Sequence, residues 1–280
     1  MSLPVEKFLF HRGRLPLLVS MPHAGEYIPP DIAADMSAAA LEIADTDWHM
    51  PRLYDFLEEM GASVLVATHS RYVIDLNRPE DNVNLYPGQD TTGLCPLDTF
   101  HKQALYQAGK NPDEAEIQRR ITQYWRPYHR QLEQELQRMR AEHGVAMLWD
   151  AHSIASVVPR FFEGRLPDLN LGTGAGSSCA PELTQQLQAI AAQAAEAGYS
   201  HAVNGRFKGG HITRHYGQPQ QNIHAVQLEQ AQLTYMEEQL PFAFDEQLAA
   251  RVRPTLRRFM DVMLAWAESH TSATHRTDSL

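Results

Sequence analysis

Two apolar segments of the chain are each followed by residues that could bind a metal ion. His23 and Glu26 lie in the loop after residues 15–19, which are largely apolar, and His152 follows the apolar stretch VAMLWD. A catalytic zinc ion takes three protein ligands from His, Asp and Glu and leaves one position for water. The two histidines and a nearby carboxylate therefore predict a metal site suited to hydrolysis.

Three carboxylates are candidates for the third ligand. Glu26 forms an HxxE pair with His23, and the segment ADTDWH supplies Asp45 and Asp47. An HxxE pair alone carries little information. Asp47 is also well placed to be the N-cap of a helix, and His23 could be an ordinary loop residue. The residues by themselves leave the choice of carboxylate open.

Glu229 is the candidate for the base that a metal-bound water needs. It lies in HAVQLEQ, where Val226, Leu228 and Glu229 break the alternation of the strand pattern. This break could place a charge at a buried strand end. The alternative is an exposed glutamate at the end of a strand.

Three arginines lie in short polar loops between apolar segments. Arg71 and Arg78 occur in HSRYVIDLNRP, with Asn77 beside Arg78 as a neutral donor, and Arg214 occurs in GGHITRHYG. A planar guanidinium can hold a carboxylate with two hydrogen bonds. In an acidic protein, three such residues suggest a small anionic substrate.

The segments that must position these residues alternate between strand and helix patterns. Strands are predicted at residues 15–19, in the β-branched segments SVLVA and YVIDLN, and in VAMLWD, HAVNGR and NIHAVQLEQ. Residues 113–143 and 245–269 have the period of helices. We therefore expect a single α/β domain with a mixed, mostly parallel sheet, helices on both faces and ligands at the carboxyl ends of the strands. We assign residues 1–270 to this domain and residues 271–280 to a flexible C-terminal tail.

Composition indicates a small-molecule ligand. The net charge is -10 with no basic run, which argues against nucleic acid or an anionic membrane as a partner. The sequence has no signal-peptide pattern and no apolar run near the roughly 18 residues of a membrane span. Cys95 and Cys179 have neither CxxC spacing nor a disulfide-rich setting. We expect a soluble, cytoplasmic protein, and these features fit a monomer and a homo-oligomer equally well.

Long stretches of the chain resemble the N-formylglutamate amidohydrolase family. They span residues 20–236 and are SMPHAG, DTDWHMPRLYDFLEEMGA, HSRYVIDLNRP, TGLCP, YWRPYH, WDAHSIASVVPRFFEGRLPDLNLGT, NGRFKGGHITRHYG and HAVQLEQAQLTYM. The resemblance implies hydrolysis of N-formyl-L-glutamate to glutamate and formate, a step of histidine degradation, by an enzyme that uses a divalent metal, Zn²⁺ above all. It also implies a fold similar to that of zinc carboxypeptidases and aspartoacylases.

The resemblance ranks the candidate residues. His23 and His152 would bind the metal with one carboxylate, Asp47 ahead of Glu26 and Asp45, because aspartates in DTDW are typical of the family. Glu229 would be the base. Arg71 or Arg78 would stabilise the oxyanion, and Asn77, Arg78, Arg71 and Arg214 would bind the substrate.

Two rival functions fit the same residues. One is hydrolysis of another N-acyl amino acid, such as an acetyl or succinyl compound, because the size of the acyl pocket is not visible in a sequence. The other is a non-catalytic protein that binds small acids through its arginines. The presence of His23, His152 and Glu229 together favours the enzyme.

Overall fold

A seven-stranded sheet organises the described part of the chain. A computed structural model describes residues 5–277, with side chains described through residue 270. The strand order is β1-β3-β2-β4-β7-β5-β6. The strands are β1 (Phe8–His11), β2 (Leu17–Met21), β3 (Ser63–Ala67), β4 (Ala146–Ile154), β5 (Leu169–Gly172), β6 (His201–Val203) and β7 (Ile223–Ala231).

The middle of the sheet is parallel and its flanks are mixed. Strands β3, β2, β4 and β7 run parallel to one another. At one edge β1 is antiparallel to β3, and on the other side β5 is antiparallel to β7 and parallel to β6. The carboxyl ends of four neighbouring strands therefore meet at one edge, where their following loops converge.

Helices connect the strands. Four short helices lie between β2 and β3: α1 (Pro30–Ala33), α2 (Ala38–Leu41), α3 (Met50–Leu53) and α4 (Leu57–Met60). The longer elements are α5 (Glu114–Arg120), a π-helical segment (Ile121–Trp125), α6 (Arg126–His143), α7 (Pro181–Gln193), α8 (His211–Tyr216) and α9 (Glu246–Thr277). Among the helices described, none is long and apolar enough to cross a membrane.

Each face of the sheet has its own apolar core. On one face Trp149 of β4 stacks on Phe259 of α9, with ring centroids 5.4 Å apart, in a cluster that also contains residues of α7. On the other face Leu148 of β4 belongs to a buried cluster with Leu132 and Leu136 of α6. Successive residues of a strand point to opposite faces, so a fully buried strand such as β4 fills both cores.

On the α6 face, two central strands change from apolar to polar residues along their length. In β4, Leu148 is followed on the same face by Asp150 and His152, and in β7, Ala225 is followed by Gln227 and Glu229. All of these residues are buried. The apolar halves anchor the strands in the core, and the polar halves form a buried polar site at their carboxyl ends.

The predicted architecture is confirmed: one α/β unit has a mixed, mostly parallel sheet with helices on both faces. The predicted strands at residues 15–19, in SVLVA, in VAMLWD, in HAVNGR and in NIHAVQLEQ correspond to β2, β3, β4, β6 and β7. The predicted strand in YVIDLN is wrong, because residues 71–73 form a turn and the segment is packed as an irregular loop. Strands β1 and β5 were not predicted.

Two helix predictions also need correction. Asp47 is not an N-cap, because the residue before α3 is His49, which has a left-handed backbone conformation. The last helix continues to Thr277, past the predicted end at residue 269. The predicted flexible tail, residues 271–280, has no described side chains, and residues 278–280 lie outside the described part.

Candidate active site

Three buried side chains converge where β2 and β4 end. His23 follows β2, His152 lies in β4 and Asp47 precedes α3; their possible ligand atoms all lie within 4.8 Å of one another. Asp47 Oδ2 lies 3.1 Å from His152 Nδ1 and 3.7 Å from His23 Nδ1. Asp47 N also donates a hydrogen bond to the carbonyl oxygen of His23, 3.0 Å away, which ties the two loops together.

The outward nitrogen of each histidine faces a second group. His23 Nε2 donates to Asp75 Oδ1 at 2.7 Å. His152 Nε2 lies 3.2 Å from Asp150 Oδ2 and 2.9 Å from Asn77 Nδ2. Histidines that bind metals usually present one ring nitrogen to the ion and the other to a carboxylate or carbonyl. The donor set and its orientation therefore fit a divalent metal ion.

The charges of the cluster are strongly coupled. Burial raises the pKa of Asp47, but hydrogen bonds to His152 and His23 outweigh it and hold the pKa below its usual value. Burial lowers the pKa of His152, but the neighbouring Asp150 and Asp47 raise it well above its usual range. A positive charge is thus favoured between these carboxylates, whether it is a proton on an imidazole or a cation.

Glu229 lies beside this cluster on the neighbouring strand. It pairs with His152 in the β4–β7 register, and its Oε2 accepts a hydrogen bond of 3.3 Å from Gln227 Nε2. The residue is 8% exposed. Burial raises the pKa of Glu229 to about 8, with the charge of His152 lowering it and that of Asp47 raising it.

A cleft of about 570 Å³ opens beside the cluster. Arg71 and Arg78 line it, and both are fixed by hydrogen bonds. Arg71 Nη2 donates to Asp75 Oδ2 at 2.8 Å, and Arg78 Nε donates to the carbonyl oxygen of Thr92 at 2.8 Å. The other lining residues are His23, Asn77, Tyr86, Thr91, Phe100, His152, Ile154, Phe161, Arg206, Phe207, Gly210, Gln227 and Glu229. The cleft thus brings cations, aromatic rings and the buried cluster together.

The family of the chain follows from a match over most of its length. The model of the family described as N-formylglutamate amidohydrolase matches residues 15–236. The chain belongs to the N-formylglutamate amidohydrolase family. The resemblance seen in the sequence is confirmed.

Relatives of the same family agree with this match. An N-formylglutamate deformylase of Pseudomonas aeruginosa is 56% identical over 261 residues, covering 93% of this chain and 97% of that protein. One of Pseudomonas putida is 53% identical, covering 92% and 95%. The crystal structure of an N-formylglutamate amidohydrolase from Ralstonia eutropha JMP134 superimposes with a TM-score of 0.77 at 25% identity, covering 95% of this chain and 98% of that one.

The structure separates the three candidate carboxylates of this family member. Asp47 lies in the cluster. Glu26 does not: its side chain is exposed, and the next residue, Tyr27, forms an isolated bridge with His69. A Cβ atom at Gly25 would lie 2.2 Å from the carbonyl oxygen of His69, so the close approach of these segments requires glycine. Asp45 is buried, but its carboxylate accepts a hydrogen bond from Phe100 N at 2.8 Å and lies outside the cluster.

Two of the predicted substrate-binding residues have other contacts. Asn77 lines the cleft, but its Nδ2 contacts His152 and its Oδ1 accepts a hydrogen bond of 2.8 Å from Ile212 N of α8. Arg214 is not among the described residues that line the cleft, and its guanidinium donates to the carbonyl oxygens of Gly209 and Leu85. Asn77 therefore contacts a histidine of the cluster, and Arg214 joins the backbone of Gly209 to that of Leu85.

Three polar residues of the site were missed. Arg206 lines the cleft from the segment NGRFKGG, a glycine-rich loop with basic residues after a strand, which is the same signal that had drawn attention to Arg214. Asp75 and Asp150 hold the two histidines from outside. Each is a lone carboxylate within an apolar segment, YVIDLN and VAMLWD, and that pattern could have identified them.

Proposed function

We propose that this protein hydrolyses N-formyl-L-glutamate to L-glutamate and formate with the help of a divalent metal ion. The observation that carries the proposal is the buried set of His23, Asp47 and His152 directly beside Glu229, in a cleft lined by arginines. Relatives that are 56% and 53% identical and named N-formylglutamate deformylase support the choice of substrate.

Zn²⁺ is the ion that best fits the donors. His23, His152 and Asp47 offer two imidazole nitrogens and one carboxylate oxygen, and catalytic zinc sites commonly have three such protein ligands. When bound, the ion would polarise the formyl carbonyl group and lower the pKa of a water molecule.

Glu229 moves the proton in this proposal. It accepts a proton from the attacking water and delivers it to the amide nitrogen as the C–N bond breaks, so that glutamate leaves with its amine and formate retains the oxygen of the water. A carboxyl group with a pKa raised to about 8 by burial can serve both as base and as acid near neutral pH.

The arginines of the cleft stabilise negative charge. Arg78 has its Nε on Thr92 O and its Nη1 on Asn77 O, which fixes the guanidinium without a carboxylate partner among the described residues. We assign Arg78 to the charge that develops on the formyl oxygen. Arg71, held by Asp75, adds positive potential at the same end of the cleft.

The reaction is assigned to the cytoplasm with a small molecule as the partner. Cys95 and Cys179 are both buried and free, which fits a compartment where thiols stay reduced.

Release of formate from N-formyl-L-glutamate is the test. Purified protein is assayed as isolated, after chelation, and after addition of Zn²⁺ or another divalent ion, with N-acetyl- and N-succinyl-L-glutamate as competing substrates. We expect activity that is lost on chelation, restored by metal and highest for the formyl compound. Absence of formate release under every metal, with the fold intact, would contradict the proposal.

The same assay tests whether Glu229 transfers the proton. Glu229→Gln keeps the size of the side chain and removes its ability to take a proton. We expect the variant to bind Zn²⁺ as the wild type does and to lose turnover by at least about 1,000-fold. Turnover like that of the wild type would remove Glu229 from this role.

A further inference from the structure

Arg206 differs from the other arginines of the cleft in how few hydrogen bonds its guanidinium makes. Arg71 is paired with Asp75, and Arg78 has hydrogen bonds from its Nε, Nη1 and Nη2 atoms to Thr92 and Asn77. Arg206 uses only Nε, which donates to the carbonyl oxygen of Phe161 at 2.6 Å. Within residues 5–270, neither Nη atom of Arg206 has a hydrogen-bond partner, and the side chain has no carboxylate within ion-pair distance.

Aromatic rings hold this guanidinium in place. Its central carbon lies 5.4 Å from the ring centroid of Tyr86, 5.7 Å from that of Phe161 and 5.2 Å from that of Phe207. These rings line the cleft with it. The Tyr86 hydroxyl donates to Gly209 O at 2.9 Å, which joins the loop of Tyr86 to the loop that follows Arg206. The guanidinium is therefore pre-organised before any ligand arrives.

The free part of the guanidinium is the part that recognises carboxylates. The paired Nη groups of an arginine form two parallel hydrogen bonds with a carboxylate. A half-buried cation that lacks an anion in the protein is stabilised when a ligand provides one. Burial lowers the pKa of Arg206, the charges of Tyr86 and Glu229 raise it, and the nearby positive charge of Arg78 lowers it.

We propose that Arg206 binds the side-chain carboxylate of the substrate and thereby selects an acidic amino acid. This inference rests on the proposed function, which places the formyl group beside the cluster of His23, Asp47 and His152. The α-carboxylate is bonded directly to the carbon that carries the amide nitrogen, so it stays near Glu229 and Arg78. The side-chain carboxylate is two methylene groups farther away, and Arg206 meets it in the part of the cleft walled by Tyr86, Phe161 and Phe207.

A comparison of glutamate with glutamine tests this assignment, since glutamine has the same shape without the charge. The Zn²⁺-loaded wild type, Arg206→Met and Arg214→Met are assayed for kcat/KM with N-formyl-L-glutamate and N-formyl-L-glutamine. Binding of L-glutamate and L-glutamine is measured by calorimetry, which needs no turnover. Arg214→Met is the matched control, because Arg214 also lies against the Tyr86 ring, 4.9 Å from its centroid, but outside the cleft lining.

We expect Arg206→Met to lower kcat/KM and affinity for the glutamate compounds on the order of 100-fold and to change the glutamine values less than about threefold. Arg214→Met should keep the wild-type preference for glutamate. Arg206→Lys, which keeps a charge but not the fork, should lose at least about tenfold of that preference, and it serves if Arg206→Met does not fold.

Two results would overturn the assignment. One is a preference for glutamate that survives in the Arg206 variants; the other is an equal loss for glutamate and glutamine, which would mean that Arg206 binds the α-carboxylate or only supports its loop. If the wild type releases no formate from either compound, the proposed function fails, and the calorimetric preference for glutamate over glutamine still decides the role of Arg206.

Discussion

Two groups of histidines in this molecule differ in their partners, although His23, His152 and His129 are all buried and His211 is partly buried. The first group, His23 and His152, has carboxylates on both ring nitrogens: His23 contacts Asp47 and Asp75, and His152 contacts Asp47 and Asp150. The second group, His129 and His211, lies on α6 and α8. His129 stacks on Trp125 with ring centroids 3.7 Å apart, and its ring centroid lies 5.5 Å from that of His211.

The partners decide the charge of each group. Burial, together with the neighbouring His211, lowers the pKa of His129 to about 3. Burial and His215 lower the pKa of His211 to about 4, although the charges of Asp150 and Asp81 raise it. At His152 the effect of burial is reversed by Asp150 and Asp47. Burial thus leaves His129 a neutral packing residue but allows a positive charge at His152, because Asp47 and Asp150 contact His152 and not His129.

Replacing one member of each group by the same residue gives the largest expected contrast. We expect His152→Gln to lose bound Zn²⁺ and to reduce formate release by on the order of 1,000-fold or more, because an amide is a poor substitute for an imidazole ligand. His129→Gln should keep its metal and turn over within about tenfold of the wild type, while losing about 1–3 kcal/mol of stability. Metal analysis, formate assays and urea unfolding of both variants measure this.

Retention of metal by His152→Gln, or loss of metal by His129→Gln, would contradict the predicted difference between the two histidine groups. Both variants place the same side chain at a buried position on the same face of the sheet, so a general effect of the substitution would appear in both.

The sequence reveals one histidine group more readily than the other because its signals are local. His23 and His152 each follow or end an apolar strand segment, and the carboxyl edge of a parallel sheet is where ligands bind. Their positions could be predicted without knowing any contact. The motifs HxxE and DTDW alone do not distinguish Glu26 from Asp47 as the third metal ligand. Only the family resemblance ranks Asp47 first.

The rest of the cleft depends on contacts between distant segments. The sequence shows that Arg206 lies in a glycine-rich polar loop, but its contacts with the rings of Tyr86 and Phe161 involve distant segments and cannot be inferred from NGRFKGG. The loop YVIDLN was mistaken for a strand because its apolar residues are buried, but they pack under α6 without pairing to the sheet. Strand β5 was hidden in a glycine-rich stretch, where its pairing with β7 decides its conformation.

A smaller effect is expected from the carboxylate behind His23. Asp75 accepts hydrogen bonds from His23 Nε2 at 2.7 Å, Arg71 Nη2 at 2.8 Å and Asn77 N at 2.9 Å. Asp75→Asn removes the negative charge that orients the ring, and we expect Zn²⁺ affinity to fall by about 10–100-fold. Competition with a chelator of known affinity measures it.

Activity at saturating Zn²⁺ distinguishes a positioning role from a catalytic one. If Asp75 acts through His23, excess metal should restore most of the turnover of Asp75→Asn. An unchanged Zn²⁺ affinity in Asp75→Asn would mean that the charge of Asp75 does not support metal binding by His23. The carboxylate partner of His23 would then not explain the difference between the two histidine groups.

The smallest expected effect is the contribution of His129 to the pH dependence of the free energy of unfolding. A histidine in the unfolded chain titrates near pH 6.5, whereas the folded-state pKa of His129 is about 3. Between these values the unfolded state binds a proton that the native state does not, so His129 makes stability fall as the pH falls. Between about pH 7 and about pH 5 we expect the metal-free wild type to lose about 2 kcal/mol more than His129→Gln does.

Urea unfolding of both proteins at the two pH values, in the presence of a chelator, measures this difference. His11→Gln is the control, because His11 is exposed on β1, and this variant should keep the pH dependence of the wild type. His152 acts in the opposite direction: its raised pKa gives stability that is present below pH 6.5 and is lost as the pH rises, and this contribution is the same in the wild type and in His129→Gln. Equal losses in the wild type and His129→Gln would show that His129 gains a proton in the native state, and the distinction between the two groups would then not be one of charge.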